Sequence, residues 1–288
     1  MCRLFGMSAG EERAKASFWL LGAPDSLSVQ SHREPDGTGL GWFDAAGAPL
    51  MSKQPVAAYG DAAFAREARE LESRTFVAHV RFASTGALEL KNTHPFEQAG
   101  RLFAHNGVVE DLPTLDAHLG AALELVGGDT DSERLFALIT RETAAADGDI
   151  EQGIADACSW VAANLPVFAL NLVLTTADGL WALRYPQTHE LYVLEREPGS
   201  TLEHRSSLGS RVRSEHGATR PLVVIASEKM DEDPGWRSLA SGELLHVGPN
   251  LEVHSRRILD APPAQLLTLE QLGAQARASQ SKTPPAGH

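Results

Sequence analysis

MCRLFG, residues 1–6, places one of only two cysteines in 288 residues directly behind Met1. A free cysteine packs as a small apolar residue, so Cys2 can simply begin a buried strand. Its position also allows a chemical reading. An initiator methionine is removed when the next residue is small, and cysteine is small enough, so the mature chain is expected to begin with a free α-amine on Cys2. Thiol and amine then share one residue, and both readings must be weighed against the rest of the chain.

The composition is that of a globular protein, with 43% hydrophobic residues and room for one large domain or two small ones. Thirty-eight acidic against 25 basic residues give a net charge of −13. That balance argues against nucleic acid or an anionic membrane as the main partner. Cys2 and Cys158 are too few for a disulfide framework, and no Cys-x-x-Cys pair suggests zinc. A reducing, cytoplasmic location is expected. The apolar stretch FWLLGA (18–23) is short and follows Arg3, Glu11, Glu12 and Arg13, which excludes a signal peptide or a membrane span there.

The pattern along the chain predicts strands in RTFVAHVRFAS (74–84) and RLFAHNGVV (101–109), and a meander over 167–195 with turns at 177–179 and 185–186. Helices are expected over 61–72, over Ser132–Thr143 and over 150–164, the last placing Cys158 in the core. GTGLG (37–41) leads into an apolar run rather than opening a helix, so it reads as a turn between strands and not as a nucleotide loop. The polar segment from Arg196 to Arg220 reads as a long surface loop, either a mobile connector or a lid. One helix is expected after Pro262 and Pro263, and SQSKTPPAGH is expected to be a disordered tail. Strands before and after a block of helices, without regular alternation, favour an α+β or layered architecture.

Four places carry candidate chemistry. In AHVRFASTG (78–86), period 2 sets Val77, His79 and Arg81 on one face and Phe76, Ala78, Val80 and Phe82 on the other. Arg81 is then either a solvated strand end or a planar fork for a carboxylate, with Ser84 beside it. A strand ending in Asn106-Gly107 is either a hairpin turn or a pair of N–H donors for an oxyanion. Thr130 and Glu133 can form a capping box in which Asp131 favours the helix dipole, or the Asp131 carboxylate can hold an ammonium. His79, His94 and His105 lack metal-ligand spacing and are expected to be structural, making ordinary hydrogen bonds.

Taken in order, MCRLFG, HREPDGTGLGW, AHVRFASTG, NTHPF, AHNG and TDSE resemble the class II, N-terminal nucleophile, glutamine amidotransferases. The likeness is nearest to the stand-alone members that include the ergothioneine-pathway γ-glutamyl hydrolase and the glutathione-degrading amidohydrolase subunit. The resemblance implies a four-layer αββα sandwich over residues 2–260, followed by a C-terminal helix and tail over 261–288. It implies Cys2 as nucleophile, Asn106 and Gly107 as oxyanion hole, and Arg81, Ser84 and Asp131 as the holders of a γ-glutamyl group. Glu34 departs from the glycine more usual in that loop, which leaves the loop's role open. The implied reaction is hydrolysis of a γ-glutamyl amide through a thioester, without metal or cofactor. The alternative is a glutaminase-like subunit that docks on a synthetase or amidohydrolase partner and delivers ammonia.

Overall fold

The structure, a computed structural model, describes residues 2–34, 36–82, 89–197, 203–205, 211–213 and 220–280. One sheet comprises β1 (Arg3–Ser8), β2 (Gly37–Phe43), β3 (Pro49–Gln54), β4 (Thr75–Arg81), β9 (Tyr192–Arg196), β12 (Leu222–Ala226) and β13 (Arg237–Ser238). Their spatial order is β13-β9-β12-β1-β4-β2-β3. The second sheet comprises β5 (Phe96–Gln98), β6 (Arg101–Val109), β7 (Pro166–Thr175), β8 (Leu180–Arg184), β14 (Glu243–Val247) and β15 (Val253–Arg257), with β16 (Gln265–Leu266) parallel to β7. It runs β15-β14-β8-β7-β6-β5. A ribbon of β10 (Glu203–Arg205) and β11 (Arg211–Arg213) stands apart.

The two sheets pack face to face through Leu4, Val77, Leu102, Ala104, Val173, Val223 and Ile225. Alternation then decides the other faces. Phe5, Met7, Phe76, Ala78 and Val80 point away from the second sheet and pack on a π turn at Phe18–Gly22, on α1 (Leu27–Gln30) and on α2 (Ala62–Glu70). Phe103, Leu170 and Leu172 point the opposite way, onto α3 (Leu112–Leu119), α4 (Asp131–Ala145) and α5 (Ile150–Asn164). Phe103 stacks on Phe136 of α4 with centroids 4.7 Å apart, a contact of about 0.5–1.5 kcal/mol beyond area burial. The result is the α+β sandwich, helices outside and sheets inside. Ala276 of α6 (Ala274–Gln280), with Leu272 just before the helix, covers Val108, Phe168 and Ala169. Among the described residues no helix is long and apolar enough to cross a membrane.

Three readings of the sequence need correction. GTGLG is not a turn but lies within β2, whose Gly37, Gly39 and Gly41 face the second sheet. A Cβ on Gly39 would lie 1.9 Å from the His94 carbonyl oxygen, so glycine permits the close approach of strand and neighbouring backbone. The strand does not end at Asn106-Gly107; both lie inside β6, which continues to Val109 and so excludes the hairpin alternative. The meander ends at β8, because the chain then crosses to the other sheet, where β9 pairs with β12 and β13. Most of the polar stretch within 196–220, the residues 281–288 and Ser84 lie outside the described residues.

Gly39→Ala is expected to cost about 1–3 kcal/mol through overpacking and to lower Tm by several degrees in a thermal melt. Gly60→Ala, where an added Cβ meets nothing within 4 Å, is expected to leave Tm unchanged.

Candidate active site

β1 lies at the centre of its sheet, paired with β12 on one side and β4 on the other. The parity that turns Leu4 and Gly6 toward the second sheet also turns Cys2 there. Arg81 ends β4, and Gly37, which opens β2, pairs with it. Asp131 is the first residue of α4. The start of β1, the end of β4, the later half of β6 and the N-terminus of α4 thus meet at one end of the sandwich.

Cys2 is 6% exposed. Its Sγ accepts from the Phe82 N–H at 3.3 Å and donates to the Phe82 carbonyl at 3.2 Å. From the opposite sheet, Asn106 donates through Nδ2 to the Cys2 carbonyl oxygen at 2.9 Å. That nitrogen carries a second N–H. Gly107 lines the pocket beside Cys2, and a Cβ there would lie 1.8 Å from the Ala169 carbonyl oxygen. Any side chain at this position would drive β6 off β7.

Arg81 and Asp131 are 3% and 1% exposed. Burial pulls the Arg81 pKa down, opposed by Cys2, Asp36 and Asp131. Asp131 Oδ2 accepts from the Val109 N–H at 2.9 Å, which fixes the carboxylate against β6. Capping itself falls to Thr130, whose side chain accepts from the Glu133 N–H at 3.2 Å. The reciprocal half of a capping box is replaced, since Glu133 Oε2 accepts from Gly128 N–H at 2.6 Å. Asp131 is therefore not needed as a cap.

The three histidines are more than scaffolding at a distance: all of them line the pocket with Cys2 and Arg81. His105 reaches Ser132 Oγ through Nδ1 at 2.9 Å and the Ala169 carbonyl through Nε2 at 3.2 Å. The His79 and His94 rings lie 4.2 Å apart, tilted by 41°. Neither ring nitrogen of His94 has a hydrogen-bond partner among the described residues, contrary to the expectation of ordinary hydrogen bonding. Burial, with Arg81 and His105 adding, takes His79 down to about 3. Burial likewise holds His94 and His105 below the usual imidazole range. The walls are neutral imidazoles at neutral pH. Among the described residues no group of three or more ligating side chains converges as a metal site would require.

Burial, with Glu34 adding, pushes the Cys2 thiol up to about 11, so the resting group is a thiol rather than a thiolate. Burial alone takes Cys158 up to about 12, deep in the α5 core. Cys2 lines a cavity with the Arg81 cation, whereas Cys158 is packed in the core beneath the helices. The bracket formed by Phe82 escaped the sequence reading because it is made by backbone.

A cysteine heading the central strand of a two-sheet, helix-flanked sandwich defines the N-terminal nucleophile class of amidohydrolase. Within that class, the family profile of the class II glutamine amidotransferases matches residues 1–258, and the chain belongs to that family. It is 32% identical over 259 residues to a γ-glutamyl-hercynylcysteine sulfoxide hydrolase of Mycobacterium tuberculosis, covering 86% of this chain and 93% of the relative. A putative glutamine amidotransferase of Haemophilus influenzae is 28% identical, over 72% of this chain and 71% of that one. Among solved structures, a glutamine aminotransferase class-II domain protein from Silicibacter pomeroyi superposes with a TM-score of 0.58 at 20% identity, over 90% of this chain and all of the other. The glutamine phosphoribosylpyrophosphate amidotransferase of B. subtilis shares the fold at TM-score 0.62 and 18% identity, over 90% of this chain and 50% of that one.

Histidines buried neutral destabilise the fold in acid, because the unfolded chain binds protons that the folded chain refuses. For His79, with a folded value of about 3 against about 6.5 unfolded, stability is complete above pH 6.5 and is lost progressively as pH falls toward 3. At pH 5 the loss is about 2 kcal/mol from this residue alone. Urea melts at pH 7 and pH 5 are expected to show the loss, and His79→Gln is expected to reduce it by this residue's share, leaving that of His94 and His105.

Proposed function

We propose that this protein hydrolyses a γ-glutamyl amide bond through a γ-glutamyl thioester on Cys2, after Met1 has been removed. The observation that carries the reading is the Asn106 bond to the Cys2 carbonyl, which sets an amide donor from one sheet against the thiol-bearing residue of the other. Arg81 and Asp131 supply the charges that match the α-carboxylate and α-ammonium of the γ-glutamyl group. Ser84 follows Arg81 in sequence and is assigned to the carboxylate as well.

Because the thiol is held neutral, its proton must leave as attack begins. The α-amine of Cys2 takes that proton, directly or through one water. Sγ bonds to the γ-carbonyl carbon, and the carbonyl oxygen gains negative charge opposite the second N–H of Asn106 and the Gly107 N–H. The tetrahedral intermediate collapses with cleavage of the carbon–nitrogen bond, and the ammonium gives its proton to the departing nitrogen. A water molecule, deprotonated by the same amine, then attacks the thioester and releases glutamate and the free thiol.

The mycobacterial relative acts, by its name, on a γ-glutamyl-hercynylcysteine sulfoxide. A γ-glutamyl conjugate of a sulfur-bearing amine, or glutamine itself, is the substrate class assigned to this chain. The amidotransferase domain is assigned to residues 2–260, with 261–288 as a C-terminal extension, and the location to the cytoplasm. Steady release of glutamate by the isolated protein supports self-contained hydrolysis. Release only on adding a synthetase supports the ammonia-delivering alternative.

Cys2→Ala is expected to abolish hydrolysis while Cys158→Ala retains it, and intact-mass measurement of the active enzyme should show a chain beginning at Cys2. Activity in a species that keeps Met1 would sink the amine-base step. Asn106→Ala is expected to lower kcat by about 10² to 10³-fold, the scale of one oxyanion donor, with much less change in KM. A near-normal kcat in Asn106→Asp would remove the oxyanion-hole assignment.

A further inference from the structure

Glu34, the residue that departs from the family's usual glycine, is buried to 2% exposure. Its Oε1 lies 3.6 Å from Nη1 of Arg3. The same Arg3 nitrogen donates to the Cys2 carbonyl oxygen at 3.4 Å. One guanidinium nitrogen thus bridges the Glu34 carboxylate and the backbone of Cys2. On its other nitrogen Arg3 pairs with Glu228 at 2.9 Å. Arg33 reaches Asp25 at 3.1 Å and Glu228 at 3.4 Å. Two guanidinium groups thus connect three carboxylates, and the Arg3 bridge sets the Glu34 carboxylate beside the residue whose backbone would carry a new ammonium.

We propose that Glu34 is a positioning residue for the Cys2 amine: with Met1 removed, its carboxylate accepts a hydrogen bond from the α-ammonium and holds that nitrogen within proton-transfer reach of Sγ. This rests on reading Cys2 as an N-terminal nucleophile. A buried charge is retained where another charge matches it, and the ammonium matches this one. The other charged groups facing the place are Arg3 on β1, Arg33 next to Glu34, Arg81 on β4 with Asp36 beside it, and Glu228 after β12. His79 stays neutral through the working range. Glu34 is second only to burial in raising the thiol, which places its field at the reacting atoms.

Removing the negative charge must then ease deprotonation of amine and thiol together. The test measures two pH profiles for the full chain: alkylation of Cys2 by iodoacetamide, followed by peptide mass spectrometry, and kcat/KM on γ-glutamyl-p-nitroanilide. Glu34→Gln and Glu34→Ala are expected to move the inflection of both profiles down by about one pH unit, with a several-fold loss of kcat on the plateau and KM little changed. Glu34→Asp is expected to return the inflection toward that of the wild type. A folded charge-removing variant with an unshifted inflection overturns the proposal, and so does loss of fold in both, which would make the carboxylate a structural partner of Arg3. A wild type that has lost Met1 but fails to hydrolyse the substrate removes the hydrolase reading alone, since the alkylation profiles still decide Glu34. A wild type that hydrolyses while retaining Met1 removes the role of the amine and with it that of Glu34.

Discussion

The hydrogen bond from Asn106 to the Cys2 carbonyl crosses from one sheet to the other, and the arrangement of the pocket depends on it. A chain terminus ordinarily frays. Here β1 is paired on both sides, and beyond its pairing with β4 the Leu4 N–H and carbonyl are both taken by Ser227, through Oγ and through the backbone N–H. Arg3 is anchored by Glu34 and Glu228. Cys2 is thereby given the rigidity of a central strand, and Asn106 fixes its carbonyl against the partner sheet. Loosening the β1 to β6 contact would move thiol and donor apart together.

The glycines serve the same approach. Gly39 and Gly41 on β2 and Gly107 on β6 stand where an added Cβ would strike backbone or side chains at under 3 Å. Close packing of these strands brings the His94 backbone against β2 and the Ala169 carbonyl against Gly107. The same packing buries the imidazoles and the thiol, which keeps the imidazoles neutral and the thiol protonated. Burial pulls the Arg81 pKa down against the opposing fields of Cys2, Asp36 and Asp131, and the Asp131 carboxylate accepts a backbone N–H.

Much of this was legible in the sequence, and what was not has a physical reason. The alternation in VAHVR placed Arg81 with Val77 and His79 correctly, because period 2 survives in any strand with one buried face. Asp131 was found as a helix start by the Thr130 to Glu133 spacing. Of the two readings open for Asn-Gly, the hairpin fails because pairing with β7 overrides the local turn preference, and GTGLG misled because its alternate glycines answer to a neighbouring sheet that no local window contains. The histidines were judged singly, whereas their neutrality is a property of three rings gathered from three separate segments. Glu34 was visible only as a departure from a pattern. Its burial and its link to Cys2 through Arg3 required coordinates.

A thiol raised to about 11 constrains how such a site can work. No resting thiolate is available, so the base must act during attack, and its distance from sulfur must hold through every fluctuation of the fold. A base on another strand would depend on sheet register and on inter-sheet spacing. An amine on the same residue depends only on bond lengths, bond angles and one side-chain torsion, which keep nitrogen and sulfur within about one hydrogen-bond length in a suitable rotamer. The remaining freedom is that torsion and the orientation of the amine. The Phe82 backbone restricts the first by holding Sγ from two sides. The proposed contact with Glu34 restricts the second, and the two restraints come from different strands of the sheet and its loop, so neither has to be relaxed when the other gives way to substrate.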